Sequence, residues 1–271
     1  MLEPILILEL ALLGICTGFL AGVLGIGGGM LTVPFVTYIL TSRFVATDLA
    51  VKMAIATSSA AIIFVSISNV RAQHKRGAIR WDVFKNVAPG VVAGSLINSV
   101  GVFNFIKGQW LAIFFGLFIG YSAIQMLRKP KTVATKTMPS VAKQGAMGVV
   151  IGLVAGLVGA GGAFISVPYM TARGIPIHNA IATSAAIGMP LALFNALGFI
   201  YTGWGNPALP AGSLGLVFLP ALAVLAVVMV IMAPLGVKVS HQLPMLTLKR
   251  VFACLLLALA FYMMIWQGLL A

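Results

Sequence analysis

Apolar residues fall along this chain in runs of about twenty, separated by short polar clusters, and that is the length an α-helix needs to cross the hydrocarbon core of a bilayer. Eight stretches follow, at about 5–41, 46–70, 87–106, 109–127, 144–172, 177–201, 213–237 and 249–270. The first and fifth exceed a single span and are interrupted by glycine clusters, Gly25-Ile26-Gly27-Gly28-Gly29 and Gly159-Ala160-Gly161-Gly162-Ala163. The pattern predicts an all-α, polytopic transmembrane protein with two glycine-broken helices. No basic residue precedes the opening run, and Ile15 stands before Cys16 where lipoprotein processing requires a small residue, so the run is expected to be a retained membrane segment.

Composition sharpens this. Of 271 residues, 61% are hydrophobic and 8% charged, against about 25% charged in a soluble domain, which excludes a water-soluble globule. Seventeen Lys and Arg against four Asp and Glu give a net charge of +13. In a polytopic membrane protein such an excess belongs to cytoplasmic loops, so no nucleic-acid partner is expected. Cys16 and Cys254 lie inside apolar runs and read as small buried hydrophobes rather than as a disulfide or metal ligands.

The two glycine-broken stretches match each other. At an offset of 134, Gly14, Gly18, Gly22, Gly25, Gly27, Gly28, Thr32 and Pro34 fall on Gly148, Gly152, Gly156, Gly159, Gly161, Gly162, Ser166 and Pro168. At an offset of 126, Ala56-Thr57-Ser58 falls on Ala182-Thr183-Ser184 and Asn69 on Asn195. A duplication explains these matches, with a first repeat at 1–130, a basic cytoplasmic linker at 131–143 and a second repeat at 144–271.

The distribution of Lys and Arg bears on how the halves are oriented. If all eight stretches cross once, ten of these residues lie inside and seven outside. If each broken stretch instead enters and leaves on one side, Arg173, Lys238, Lys249 and Arg250 move inside and the split becomes fourteen to three. The second arrangement makes the two repeats inverted, as in many secondary transporters.

Non-helical backbone at membrane depth is tolerated only where protein or a water-filled cavity satisfies it, so paired glycine breaks point to a substrate cavity. Thr32-Val33-Pro34 and Ser166-Val167-Pro168 follow the breaks, and Thr32 and Ser166 are expected to N-cap short helices. The free N–H groups and positive dipole end of such helices suit an anion. Gly14, Gly18, Gly22, Gly148, Gly152 and Gly156, spaced four apart, read instead as helix-packing positions.

The substrate-binding candidates are Gly25, Gly27, Gly28, Gly29, Thr57, Ser58, Gly159, Gly161, Gly162, Ala163, Thr183 and Ser184. The hydroxyls among them could equally bond back to their own helices. Lys52 and His178, which the 126 offset pairs, with Asn69 and Asn195, are candidates to admit or gate the substrate. The four carboxylates, Glu3, Glu9, Asp48 and Asp82, all sit near predicted helix ends, which disfavours proton- or metal-cation transport. No metal, cofactor or catalytic residue is expected. An intramembrane hydrolase using Ser58 or Ser184 would need a hydrogen-bonded base, and no histidine occupies a suitable position.

The same motifs, from Gly18-Phe19-Leu20-Ala21-Gly22 through the first glycine cluster, Pro34 and Ala56-Thr57-Ser58, resemble the TauE/SafE-type sulfite exporter and sulfonate permease family. In the second half, Gly156-Leu157-Val158-Gly159-Ala160-Gly161-Gly162, Val167-Pro168 and Ala180–Gly188 are similar to the family's repeated signature, and Pro210–Gly215 and Ala233–Gly236 to its late segments. Ala163 stands where Gly29 stands in the first half, so any site is lopsided. The resemblance implies a multi-pass protein of the cytoplasmic membrane that moves sulfite, an organosulfonate or a related small anion by alternating access, with export the leading direction. An anion channel and an organosulfonate importer are the alternatives, and the oligomeric state is left open, a homo-oligomer included.

Overall fold

A computed structural model describes residues 4–24, 28–43, 45–127, 137–239 and 245–265. Its helices are α1 (Pro4–Leu24), α2 (Gly29–Thr41), α3 (Thr47–His74), α4 (Trp81–Leu96), α5 (Phe103–Phe105), α6 (Gly108–Leu127), α7 (Val141–Val158), α8 (Ala163–Thr171), α9 (Ile177–Gly203), α10 (Leu219–Val239) and α11 (Met245–Tyr262). A π-helical segment, Ile97–Val102, joins α4 to α5, so the three form one span. Among the described residues, seven helical spans are long and apolar enough to cross a membrane. The protein is a multi-pass membrane protein. Of the linker, 131–136 lies outside the described residues, and Val141 to Lys143 already belong to α7.

The two longest helices, α3 and α9, are the most buried spans. At 1.5 Å per residue each is about 40 Å long, more than the hydrocarbon core alone requires. Both carry small residues over their first halves, and Ala54, Ala56, Thr57, Ala182, Thr183 and Ser184 are fully buried.

Two backbone donors fix the directions of these helices. Phe218 N, just before α10, donates to Thr57 Oγ1 at 3.0 Å, and Arg80 N, just before α4, donates to Thr183 Oγ1 at 2.9 Å. The start of α10 therefore lies beside the N-terminal half of α3, and the start of α4 beside the N-terminal half of α9. Since α4 follows the end of α3 through a short turn, and α10 follows α9 through a small hairpin of β1 (Ser213–Leu214) and β2 (Val217–Phe218), α3 and α9 run antiparallel. The segments that match in sequence thus point in opposite directions.

The broken stretches are hairpins. Arg43, after α2, approaches Glu9 near the start of α1 at 3.8 Å. The start of α7 lies beside the start of α4, where Asn86 Nδ2 donates to Gln144 Oε1 at 3.4 Å, and the start of α9, which directly follows α8, lies at the same place through the Arg80–Thr183 bond. Each stretch leaves the protein interior on the side it entered.

Outer helices pack across the two halves through small residues. On α1, a Cβ at Gly22 would run into the Ala233 carbonyl of α10, and on α7 a Cβ at Gly148 would run into the Val87 carbonyl of α4. Here the spacing of four does bring backbones into contact. Cys16 and Cys254 differ from expectation, since both are exposed on the protein surface. Their apolar runs face outward at these positions, and a bilayer satisfies an exposed thiol in an apolar helix as well as a core does.

Candidate functional site

The site is built from the tips of the two hairpins. Gly28 caps the start of α2 at φ 75° and ψ −14°, and Gly162 caps α8 at φ 75° and ψ −2°. These are left-handed conformations that L side chains rarely adopt, which is why glycine stands at both. The Gly28 carbonyl accepts from Leu31 N and Thr32 N, and the Gly162 carbonyl from Ile165 N and Ser166 N. Gly29 and Met30, like Ala163 and Phe164, therefore hold the first-turn N–H groups for which an α-helix offers no carbonyl one turn earlier. Gly25 and Gly27 lie outside the described residues.

The tips meet in the buried interior. A Cβ on Gly29 would strike the Gly159 carbonyl, so α2 begins directly against the end of α7. Gly159, at φ 62°, ends that helix, and its carbonyl accepts from Ser58 Oγ of α3 at 3.1 Å. Gly161 faces α9, where a Cβ on Gly188 would stand 3.1 Å from the Gly161 carbonyl. The hydroxyls of Ser166 of α8 and Ser184 of α9 are hydrogen-bonded at 2.7 Å, with Ser166 Oγ as acceptor. Gly28, Gly29, Ser58, Gly159, Gly161, Gly162, Ala163 and Ser184 are thus all buried around one junction of α2, α3, α7, α8 and α9.

Thr57 and Thr183 sit one residue earlier on their helices and face the starts of α10 and α4, where their hydroxyls accept backbone N–H groups. They tie elements together at the edge of the junction. Thr32 and Ser166 are not the N-caps that their positions before a proline predict. Left-handed Gly28 and Gly162 start the helices four residues sooner, which puts both hydroxyls inside the helix, each donating back to that glycine's carbonyl, at 3.2 and 3.0 Å. Pro34 and Pro168 consequently lie in helix interiors rather than first turns.

Of the candidates for admitting substrate, Lys52 and His178 lie near helix starts, whereas Asn195 packs on Gly156, one turn of α7 before the junction. Lys52 Nζ is 3.7 Å from Asp48 Oδ2, and Asp48 also accepts the Gly108 N–H that opens α6. His178 is exposed in the first turn of α9. Asn69 Nδ2 donates to the Ala21 carbonyl of α1 at 3.5 Å, whereas Asn195 Oδ1 accepts from Asn98 Nδ2 at 3.1 Å. Asn98 is absent from the sequence candidates. Its signal was an asparagine inside the apolar run 87–106, but nothing in the pattern tied it to Asn195, and the π-helical segment that turns it inward has no sequence mark.

The described carboxylates, Glu9, Asp48 and Asp82, each pair with a cation near a helix end, Asp82 with Arg80 in a two-point contact at 3.0 and 2.6 Å. Among the described residues, no three His, Cys, Asp or Glu side chains gather as a metal site. The junction is therefore uncharged, and its polar groups are backbone amides and hydroxyls.

Residues 10–263 match the model of a family described as Sulfite exporter TauE/SafE. A probable membrane transporter protein of Haemophilus influenzae is 35% identical over 95% of this chain and 97% of its own length. Another, of Methanocaldococcus jannaschii, is 26% identical over 97% of each. No solved structure matches.

Proposed function

The chain belongs to the sulfite exporter TauE/SafE family of membrane transporters, and from that premise we propose that it is a secondary transporter exporting sulfite, or a small organosulfonate, across the cytoplasmic membrane. The observation that carries this reading is the convergence of two left-handed glycine starts, Gly28 and Gly162, on one uncharged, buried junction. The substrate oxyanion would take the first-turn N–H groups of α2 and α8, where the helix dipoles are positive. Ser58 and Ser184, now bonded to Gly159 and to Ser166, would turn toward it. Thr57 and Thr183 would hold α10 and α4 in register around the site.

No fixed positive charge is needed to bind such an anion, and its absence favours release after each transfer. Alternating access follows if one hairpin, with the long helix it packs on, rocks against the other and parts the Ser58–Gly159 contact. Sulfite as substrate and export as direction rest on the family description, and the donor chemistry supports the anion class.

The test is thermal stability of the detergent-purified protein with sulfite, thiosulfate, sulfate, sulfoacetate, taurine, chloride and acetate at constant ionic strength. A ligand of the native state raises the unfolding temperature by mass action. We expect stabilisation by one sulfur oxyanion or sulfonate that is lost in Gly161→Val, followed by saturable counterflow in vesicles. Stabilisation retained in Gly161→Val would move the site elsewhere. Flux without saturation or counterflow would make the protein a channel.

A further inference from the structure

We propose that the groove between the C-terminal part of α3 and the middle of α10 binds one acidic phospholipid, from the leaflet at which α3 ends. The groove has a volume of about 470 Å³. Its origin is visible in the sequence. Pro234 has no N–H, so the carbonyl of Val230, four residues earlier, loses its helical partner. Ser68 of α3 supplies a replacement, donating to that carbonyl at 3.4 Å and fastening the two helices under the groove.

Phe64 and Ile67 form its apolar wall on α3, facing Val230 and Pro234 on α10. Farther along α3 the lining becomes Arg71 and Lys75, both exposed and neither paired with a carboxylate among the described residues. An apolar trough with two cations at one end has the chemistry of an acyl chain with a phosphodiester head. Trp81, whose ring lies edge-on to His74 at 5.7 Å, is part-exposed just past the end of α3, where interfacial aromatics mark headgroup level.

The other half lacks this pair of cations. The offset that aligns α3 with α9 places Leu197 and Tyr201 where Arg71 and Lys75 stand. Because α9 runs the opposite way, that uncharged counterpart faces the opposite leaflet. The charged groove thus belongs to one leaflet, which is where an acidic headgroup site places its cations.

Full-length protein in neutral detergent is titrated with phosphatidylglycerol or phosphatidylcholine, and bound lipid is counted by native mass spectrometry. One phosphatidylglycerol is retained in preference. Arg71→Gln with Lys75→Gln weakens it by about tenfold or more, and Ala72→Trp, which fills the groove with both cations kept, does the same. Arg76→Gln, an exposed cation of the same loop outside the groove, changes it less than about twofold. Equal retention of both lipids overturns the proposal. So does an Arg76→Gln loss as large as that of the double variant, which means diffuse surface attraction, or displacement of the lipid by sulfoacetate at constant ionic strength, which means a substrate vestibule. None of these outcomes depends on the transport reading.

Discussion

At the start of α10 the N–H of Phe218 is held by Thr57, and at the start of α4 that of Arg80 is held by Thr183, at 3.0 and 2.9 Å. Farther along the same helix pairs the correspondence ends. On one side the π-helical segment after α4 presents Asn98 to Asn195 of α9, leaving Asn98 Oδ1, Asn195 Nδ2 and Ser95 Oγ buried and without partners among the described residues. On the other, α10 carries Pro234, and Asn69, the match of Asn195, turns to the Ala21 carbonyl of α1. The shared contacts are those that two inverted hairpins need in order to be held at all. The unshared ones flank the junction, the Asn98–Asn195 pair packing on Gly156 of α7 and Asn69 on α1.

The shared architecture breaks most readily at the seams. Gly22→Leu and Gly148→Leu each drive a side chain into the backbone of a facing helix, Ala233 in one case and Val87 in the other. Overpacking against side chains costs about 1–3 kcal/mol, and a carbonyl cannot repack, so each variant is expected to lose about 3 kcal/mol or more. Monodisperse yield and thermal unfolding in detergent measure this. Tolerance of one substitution and not the other would show that the two seams are not equivalent.

The unshared side is probed through the asparagines. Asn98→Leu strips Asn195 of its one observed hydrogen bond and leaves a buried amide unpaired, at a cost of about 1–3 kcal/mol. Asn98→Leu with Asn195→Leu removes both polar groups and is expected to recover much of that loss. Asn69→Leu, whose bond at 3.5 Å is long, should cost less than either single variant. A double variant as unstable as the sum of the singles would deny the pair any coupling.

A smaller effect is expected at the shared caps. Thr57→Val and Thr183→Val keep side-chain shape but remove the acceptor for Phe218 N and Arg80 N, each costing about 1–2 kcal/mol. Both bonds are only partly buried, so water recovers some of the loss. Equal shifts in the two unfolding temperatures support the correspondence, and a shift in only one breaks it.

Much of this was legible in the sequence, for reasons that differ by residue. Runs of about twenty apolar residues declare membrane helices because the bilayer admits little else. The hairpin character of the broken stretches showed in the charges, since Arg173 and Lys238 change sides with it. The junction showed in Gly159, Gly161 and Gly162, because a run of glycines has few uses inside an apolar segment. The hidden parts depend on exact register. Thr32 and Ser166 were read as caps because a hydroxyl two residues before a proline is a common helix start, but a left-handed glycine starts a helix just as well and leaves no mark separate from its neighbours. Ser58 and Thr57 are adjacent in sequence yet point to Gly159 and to Phe218, a division that only the packing of α3 decides.

The smallest expected effect tests whether the two mouths are alike. Lys52 is mostly buried and reaches the half-exposed Asp48 at 3.7 Å, while His178, its match, lies exposed on α9. A partly solvated pair of this kind contributes less than about 1 kcal/mol to stability, so Lys52→Ala should unfold within a few degrees of the parent. Its effect belongs in the rate. A cation at a mouth raises the local concentration of an anion, and about a twofold to tenfold loss of flux at low ionic strength is expected. The loss should fade as salt shortens the screening length to about 8 Å near physiological strength and less above it. Substrate affinity, read from the thermal shift, should stay unchanged. If Lys52→Ala instead weakens binding about tenfold with flux at saturation intact, Lys52 reaches the bound anion, and the uncharged junction is not the whole site.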